Sequence, residues 1–207
     1  MGKKKIVSVL LAFALCLSAF NFSSSADFHL DTKVDILENR LATTTFVLLD
    51  VPKLKQEETK WCWVTAGLMA GKYMSPIMNK TQSALVIDIK GSYVNEPGTI
   101  FEAARAMELS TYPVQSVSPK ITGYFSWPDT RKSIDNGYPL LAFVNSSAIG
   151  KSGHFYVIKG YSETGQLKLN DPWDGKEKQC SWYGFTTGNW EDSRPYQNSV
   201  YYNNWNK

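Results

Sequence analysis

Hydrophobic and polar positions in the first half of the chain repeat with the spacing of helices. In residues 61–74, Val64, Leu68 and Tyr73 fall on one helical face, and Ser75-Pro76 ends the pattern. The same spacing predicts three further helices, over residues 82–89, 98–109 and 129–136. Thr99 is a candidate N-cap of the third predicted helix, and Gly91 a candidate C-cap of the second.

The second half of the chain has the pattern of strands. Apolar runs predict strands over residues 140–144, 154–161 and 166–170, after an earlier one at 46–51. Ser162-Glu163-Thr164-Gly165 predicts a hairpin turn between two of them. Residues 180–204 alternate aromatic and polar side chains, which favours further antiparallel strands with an aromatic core over an aromatic ligand groove. Helices followed by a sheet indicate an α+β fold class with segregated layers.

The N-terminus has the composition of an export signal. Three lysines after Gly2 precede an apolar stretch over residues 6–20, and Ser24-Ser25-Ala26 offers a cleavage site. The apolar stretch is too short for a confident membrane span. We therefore expect residues 1–26 to be a signal peptide, 27–49 an N-terminal arm or short pro-segment, and 50–207 the folded domain. The expected location is secreted or periplasmic, with no stable membrane insertion after signal removal.

The charge balance gives no support for nucleic-acid binding. The chain has 22 Lys and Arg against 19 Asp and Glu, and three of the lysines lie in the predicted leader. Cleavage would leave 19 basic and 19 acidic residues, so the net charge would be about zero. The 43% of hydrophobic and 20% of charged residues are ordinary for a globular protein and exclude a disordered or collagen-like chain.

Few residues are available for chemistry. Cys16 would leave with the leader, so Cys62 and Cys180 remain, and the chain has two histidines, His29 and His154. The sequence contains no zinc-spaced Cys/His cluster, Walker loop or GxGxxG motif. We therefore expect no metal and no other cofactor. Cys180 is interpreted as a buried strand thiol, and a reversible bridge from it to Cys62 is the weaker alternative.

Cys62 and His154 are the candidate nucleophile and base. Cys62 lies in the first turn of a predicted helix, where free N–H groups and the helix dipole favour a thiolate. Taken alone, it could equally be an apolar core residue between two tryptophans. His154 opens a predicted strand, and a structural histidine is the alternative there. Together the two residues have the arrangement that a thiolate–imidazolium pair requires.

Two further polar residues complete the candidate site. Asp171 shares a strand face with Leu167 and Leu169, so its carboxylate could orient the imidazole, and Asn170 is the alternative third member. An Asx turn before Pro172 is a structural alternative for Asp171. Gln56 lies six residues before Cys62 and could donate a hydrogen bond to an oxyanion, although a loop glutamine is usually solvated surface.

The order and spacing of these residues resemble the papain-like cysteine peptidases. The matching features are Gln56-x5-Cys62, Gly153-His154 and Asn170-Asp171-Pro172. The likeness is closer to the bacterial branch with bacteriocin-leader peptidases and secreted effector cysteine proteases. The segments that carry this closer likeness are Trp61-Cys62-Trp63, Thr81-Gln82-Ser83, Asp135-Asn136-Gly137-Tyr138-Pro139 and Gly153-His154-Phe155-x3-Lys159-Gly160-Tyr161.

The resemblance implies a fold and a set of roles. The implied fold is a papain-like one, an N-terminal helical lobe packed on a C-terminal antiparallel sheet with the active cleft between them. The implied roles are nucleophile for Cys62, base for His154, orienter for Asp171 and oxyanion donor for Gln56. Residues 50–207 would then be the catalytic domain of a monomeric hydrolase that acts on peptides or proteins.

The sequence departs from part of the family and leaves alternatives open. The Cys-Gly-Ser-Cys-Trp motif of plant and lysosomal papains is absent, and residues 27–49 are too short for their inhibitory pro-domain. An isopeptidase, amidase or transpeptidase would use the same thiol chemistry. A non-catalytic binding module on this fold is the third reading. A disulfide oxidoreductase is disfavoured because there is no C-x-x-C motif.

Overall fold

A computed structural model describes residues 4–7, 45–111, 118–145 and 153–202 of the chain, residues 4–7 by their backbone alone. Strands in this part form an antiparallel sheet whose main path runs β1-β2-β5-β4-β8-β3, with β6 paired to β5 and β7 to β6. The strands are β1 Lys4–Val7, β2 Phe46–Leu49, β3 Pro119–Gly123, β4 Leu140–Val144, β5 His154–Ser162, β6 Gln166–Asp171, β7 Lys176–Ser181 and β8 Tyr196–Tyr202.

Helices cover the sheet and enclose the core. They are α1 Cys62–Met74, α2 Gln82–Lys90, α3 Ile100–Leu109, α4 Trp127–Asp135 and α5 Trp182–Thr187. Helix α1 packs against both α3 and β5. Its contact with α3 is close, since a Cβ atom at Gly71 would lie 2.1 Å from the Cβ atom of Ser110. The core therefore lies between the helices and the sheet, with α1 at its centre.

The helix ends follow from local side-chain chemistry. Thr99 caps α3 in a capping box, in which its hydroxyl accepts from Glu102 N and Glu102 Oε2 accepts from Thr99 N. Gly91 ends α2 with a φ of 81°, a left-handed conformation that favours glycine. Ser126 caps α4 through Asp129 N. The caps predicted at Thr99 and Gly91 are therefore present, and Ser126 is a further cap that was not predicted.

The predicted α+β class and most predicted elements are confirmed. The structure corrects the interpretation of residues 180–204, because α5 lies between β7 and β8. Ser181 caps this helix through Gly184 N, and Gly188 ends it with a φ of 75°. A six-residue helix is too short to give a periodic signal. Strand β3 was not predicted either, and it pairs only with β8 among the described residues.

The predicted leader and arm lie mostly outside the described residues, which leaves the signal peptide, the arm and their cleavage as predictions. Within the leader, β1 pairs its backbone with β2, with Lys4 opposite Leu49. In the described part of the chain, no helix has both the length and the apolar character to cross a membrane.

Candidate active site

Cys62 is the first residue of α1 and is partly exposed at the wall of a cavity of about 490 Å³. The tryptophans on either side are fully buried. The Trp61 indole donates a hydrogen bond to the Val94 carbonyl at 2.8 Å, and the Trp63 indole donates to the Glu96 carbonyl at 3.2 Å. The two indoles therefore fix the start of the helix and leave the thiol facing the cavity.

His154 is the first residue of β5, directly opposite Val144 of β4. Gly153 precedes it, and a Cβ atom there would come within 2.3 Å of the Phe143 ring. Glycine is therefore the residue that lets the chain enter β5 over this ring. The His154 side chain is nine-tenths buried, yet it still lines the cavity beside Cys62.

Asp171 at the end of β6 hydrogen-bonds the imidazole. The distance from His154 Nε2 to Asp171 Oδ1 is 2.8 Å, and the same oxygen accepts from Trp173 N at 2.9 Å. The orienting contact and the Asx turn proposed as alternatives therefore both occur. Because an ionised carboxylate only accepts, Nε2 carries the hydrogen, and Nδ1 is left for the thiol. The structure thus brings Cys62, His154 and Asp171 together.

The surroundings of the imidazole favour its charged form. Burial lowers the pKa of His154, but hydrogen bonds from its ring to Asp171 and Cys62, and the charges of these two groups, outweigh burial and raise the pKa to about 9. The folded protein therefore keeps a proton on His154 above the ordinary pKa of 6.5. This group stabilises the fold fully below pH 6.5, and its contribution is lost as the pH rises toward 9.

Replacing Asp171 with asparagine should move the alkaline limit of activity. With aspartate, we expect kcat/KM to fall as the pH rises through about 9, because the imidazolium loses its proton there. Asparagine removes the carboxylate charge that raises this pKa, so the limit should shift to lower pH by about one unit or more. A pH profile of kcat/KM measures the shift.

The matched control for that profile is Asp174→Asn. The Asp174 carboxylate accepts from Lys176 N and lies 3.6 Å from Lys178 Nζ, and it is not one of the groups that raise the pKa of His154. The Asp174→Asn variant should therefore have the same alkaline limit of kcat/KM as the wild type. An unchanged limit in Asp171→Asn would contradict the role of the carboxylate.

Asn170, the alternative third member, faces elsewhere. Its Nδ2 donates to the carbonyls of Val51 and Pro52 at 3.1 and 3.2 Å. Its opposite parity on β6 explains why it ties the strand to the chain before α1 while Asp171 meets the imidazole. Of the two candidates, the structure pairs Asp171 with His154.

Gln56 lies close behind the site. Its backbone N–H donates to the Pro172 carbonyl at 2.7 Å, one residue after Asp171. Its Nε2 donates one hydrogen to the Glu58 carbonyl at 2.8 Å, which leaves a second hydrogen on the amide. Gln56 is buried and is not among the described residues that line the cavity. Its loop is therefore tied to the Asp171 turn.

Cys180 is a free, buried thiol on β7, and Cys62 is also free. Burial and the charge of Glu191 raise the pKa of Cys180 to about 12, so it stays protonated at neutral pH. This matches the interpretation of Cys180 as a core residue. No described group of three His, Cys, Asp or Glu side chains is arranged to hold a metal ion.

Sequence reasoning missed much of the cavity wall. Tyr156 packs its ring edge-on against the His154 imidazole, with centroids 4.7 Å apart, and donates its hydroxyl to Asp192 at 2.7 Å. Arg194 binds the other oxygen of Asp192. The available signal for Tyr156 was its position two residues after His154 on the same strand, since such residues share a face. The loop that contains Asp192 has no comparable sequence pattern. Besides Cys62, His154 and Asp171, the remaining polar or aromatic residues of the described cavity wall are Thr59, Lys60, Trp173, Lys178, Trp190 and Glu191.

Comparison with known proteins gives a family. Residues 48–198 match the model of the Peptidase_C39 like family. A solved structure from Bacillus anthracis, described as a candidate C39-like peptidase, is 14% identical with a TM-score of 0.49, over 73% of this chain and 94% of that one. No curated protein matches the chain. The family match covers more than half of the residues, so the chain belongs to the Peptidase_C39 like family, a relationship that indicates a cysteine peptidase type of function.

Proposed function

We propose that this protein is a secreted cysteine peptidase that hydrolyses peptide bonds through Cys62, His154, Asp171 and an acyl-enzyme. The observation that carries the proposal is that Cys62 and His154 line the wall of one cavity, with the His154 imidazole hydrogen-bonded to Asp171 at 2.8 Å. Family membership supports a peptide or protein as the substrate. The export signal predicted in residues 1–26 is the basis for proposing a secreted or periplasmic location, and we expect a monomer.

Acylation would begin with the Cys62 thiolate and the His154 imidazolium. The sulfur attacks the carbonyl carbon of the scissile peptide bond, and the carbonyl oxygen becomes an oxyanion. The Nδ1–H of the imidazolium then protonates the leaving amine as the C–N bond breaks. A thioester on Cys62 and a neutral imidazole remain. Asp171 accepts a hydrogen bond from Nε2–H throughout. This bond fixes the ring orientation and favours the cationic state of the imidazole.

Deacylation would reuse the same groups in reverse. Neutral His154 takes a proton from water, and the hydroxide attacks the thioester carbon. Collapse of the second oxyanion releases the carboxylic acid product and restores the thiolate–imidazolium pair. Two N–H groups are the proposed oxyanion donors: the backbone N–H of Cys62, which as the first helical residue has no helical acceptor, and the second hydrogen of Gln56 Nε2.

Trapping the acyl-enzyme tests this function. Purified protein is mixed with activated peptide esters, quenched in acid and digested, and the fragments are weighed by mass spectrometry. We expect one acyl group on the fragment that contains Cys62, formed in a burst before steady turnover. Acylation of Cys180 alone, or of neither cysteine across a broad ester and peptide library, would contradict the proposal.

The same experiment separates the alternative reactions. Adding a primary amine distinguishes water from an amine as the acceptor of the acyl group. Hydrolysis in excess over aminolysis supports a peptidase, and dominant transfer to the amine would replace it with a transpeptidase.

A further inference from the structure

Gln82, the first residue of α2, has a buried amide whose hydrogen bonds reach two other parts of the chain. Its Oε1 accepts from Glu57 N at 3.0 Å and from the Thr65 hydroxyl at 2.6 Å. Its Nε2 donates to the Lys55 carbonyl at 2.8 Å. The Gln82 amide therefore accepts two hydrogen bonds and donates one. Gln82 is not among the residues proposed as the triad or as oxyanion donors.

The partners of Gln82 have a specific relation to the candidate site. Lys55 and Glu57 are the two neighbours of Gln56 along the chain. The Gln82 amide therefore hydrogen-bonds the backbone on both sides of Gln56. Thr65 lies on α1 three residues after Cys62, one helical turn along. The backbone that carries the proposed oxyanion donor is thus joined to the helix that carries the nucleophile.

A second anchor acts on the same loop from the other side. Gln56 N donates to the Pro172 carbonyl at 2.7 Å, next to the Asp171 carboxylate that binds His154. With the Gln82 bonds, the loop is fixed to α1 and to the end of β6. An oxyanion donor is effective only when it is held at the position where the negative charge develops.

From these contacts we propose that Gln82 is a positioning residue that acts on acyl transfer through Gln56. The proposal rests on the oxyanion role assigned to Gln56 under the proposed function. Glutamine suits the position because its amide offers both the donor for Lys55 and the acceptor for Glu57 and Thr65. An ionised glutamate has no donor for Lys55, and a methionine of similar length has neither group.

A double-mutant cycle tests the proposal. The proteins are wild type, Gln56→Ala, Gln82→Met and the double variant, each corrected for its fraction of active thiol. We expect Gln56→Ala to lower kcat/KM by about a hundred- to a thousand-fold, the usual loss for one oxyanion donor. Gln82→Met should lower kcat mainly, by about tenfold or more, and should add less than about threefold in the Gln56→Ala background.

Alkylation of Cys62 by iodoacetamide separates this inference from the proposed function. Its rate should be unchanged in Gln82→Met, because alkylation needs the thiolate but no oxyanion donor. If wild-type Cys62 is no more reactive than a free thiol, the proposed function itself fails. If Cys62 is reactive and forms the acyl-enzyme but the two losses multiply in full, only the inference is overturned. If Gln56→Ala has no effect, the inference and the proposed oxyanion role of Gln56 both fail.

Thr65 provides a milder variant in case Gln82→Met does not fold. Thr65→Val removes one bond to the Gln82 amide, and Thr65→Ser retains the hydroxyl as a matched control. We expect a loss of kcat in the valine variant that disappears in the Gln56→Ala background, and near wild-type kcat in the serine variant. Equal losses with valine in both backgrounds, or equal losses with valine and serine, would overturn the proposal.

Discussion

Replacing Cys62 with alanine should lower peptide hydrolysis by on the order of a million-fold, the loss expected when an acyl-transfer nucleophile is removed. In the proposed mechanism the sulfur forms the covalent bond to the substrate, and no other described thiol lies at the cavity wall. Without the thiolate, water would have to attack the peptide carbonyl directly as an unactivated nucleophile. The proposed N–H donors could still bind the oxyanion. Initial rates with a fluorogenic peptide, together with the loss of the thioester in acid-quenched samples, measure the effect.

Cys180→Ala is the matched control, since it makes the same substitution at the other described cysteine. Its thiol is buried, and its raised pKa of about 12 keeps it protonated. We expect turnover within about twofold of wild type and a loss of stability of about 1 kcal/mol, because a small buried group is removed. A Cys62→Ala protein that retains substantial hydrolysis would contradict the covalent mechanism.

Replacing His154 with alanine should lower kcat/KM for a peptide by about a hundred- to ten-thousand-fold, the usual range for a general acid–base. The leaving amine then has no protonated group beside it, and the thiol loses the cation that favours the thiolate. Because the thiolate is no longer favoured, alkylation of Cys62 at pH 6 should slow to the rate of an ordinary thiol. Stopped-flow alkylation and peptide hydrolysis on the same preparation measure both losses.

Free imidazole provides the control for that variant. His154 is a buried wall residue, so alanine leaves a space next to Asp171 and Cys62. Added imidazole should restore part of the hydrolysis in His154→Ala and leave Cys62→Ala inactive. Rapid alkylation at pH 6 in His154→Ala would show that the imidazole does not set the state of the thiol.

The parts of the fold that the sequence predicted are those whose causes are local. The capping hydroxyl of Thr99 and the left-handed conformation of Gly91 depend on neighbouring residues, so α2 and α3 were located to within a few residues. His154 and Asp171 could be matched because they begin and end the two strands of one hairpin. Alternation along β6 then favoured Asp171 over Asn170 as the partner of the imidazole.

The features that the sequence did not predict depend on distant contacts. Strand β3 is held by pairing with β8, about eighty residues further on, and its own residues give no strong pattern. The Tyr156–Asp192 bond spans 36 residues, and the Gln82–Glu57 bond spans 25. The sequence indicated Gln82 only as part of the family-like segment Thr81-Gln82-Ser83. Its contacts could not be predicted, because a glutamine that links a loop to a helix has the same local sequence as a solvated one.

The residues of the candidate site differ greatly in their separation along the chain, because two of them belong to the hairpin of β5 and β6. His154 and Asp171 are 17 residues apart, whereas Cys62 precedes His154 by 92 positions. Local contacts form sooner than distant ones, so a chain can complete the imidazole–carboxylate pair while its cysteine is still an ordinary thiol. The reactive sulfur would then appear only when α1 docks on the sheet. Such an order of assembly would make the docking of α1 on the sheet the step that activates the thiol.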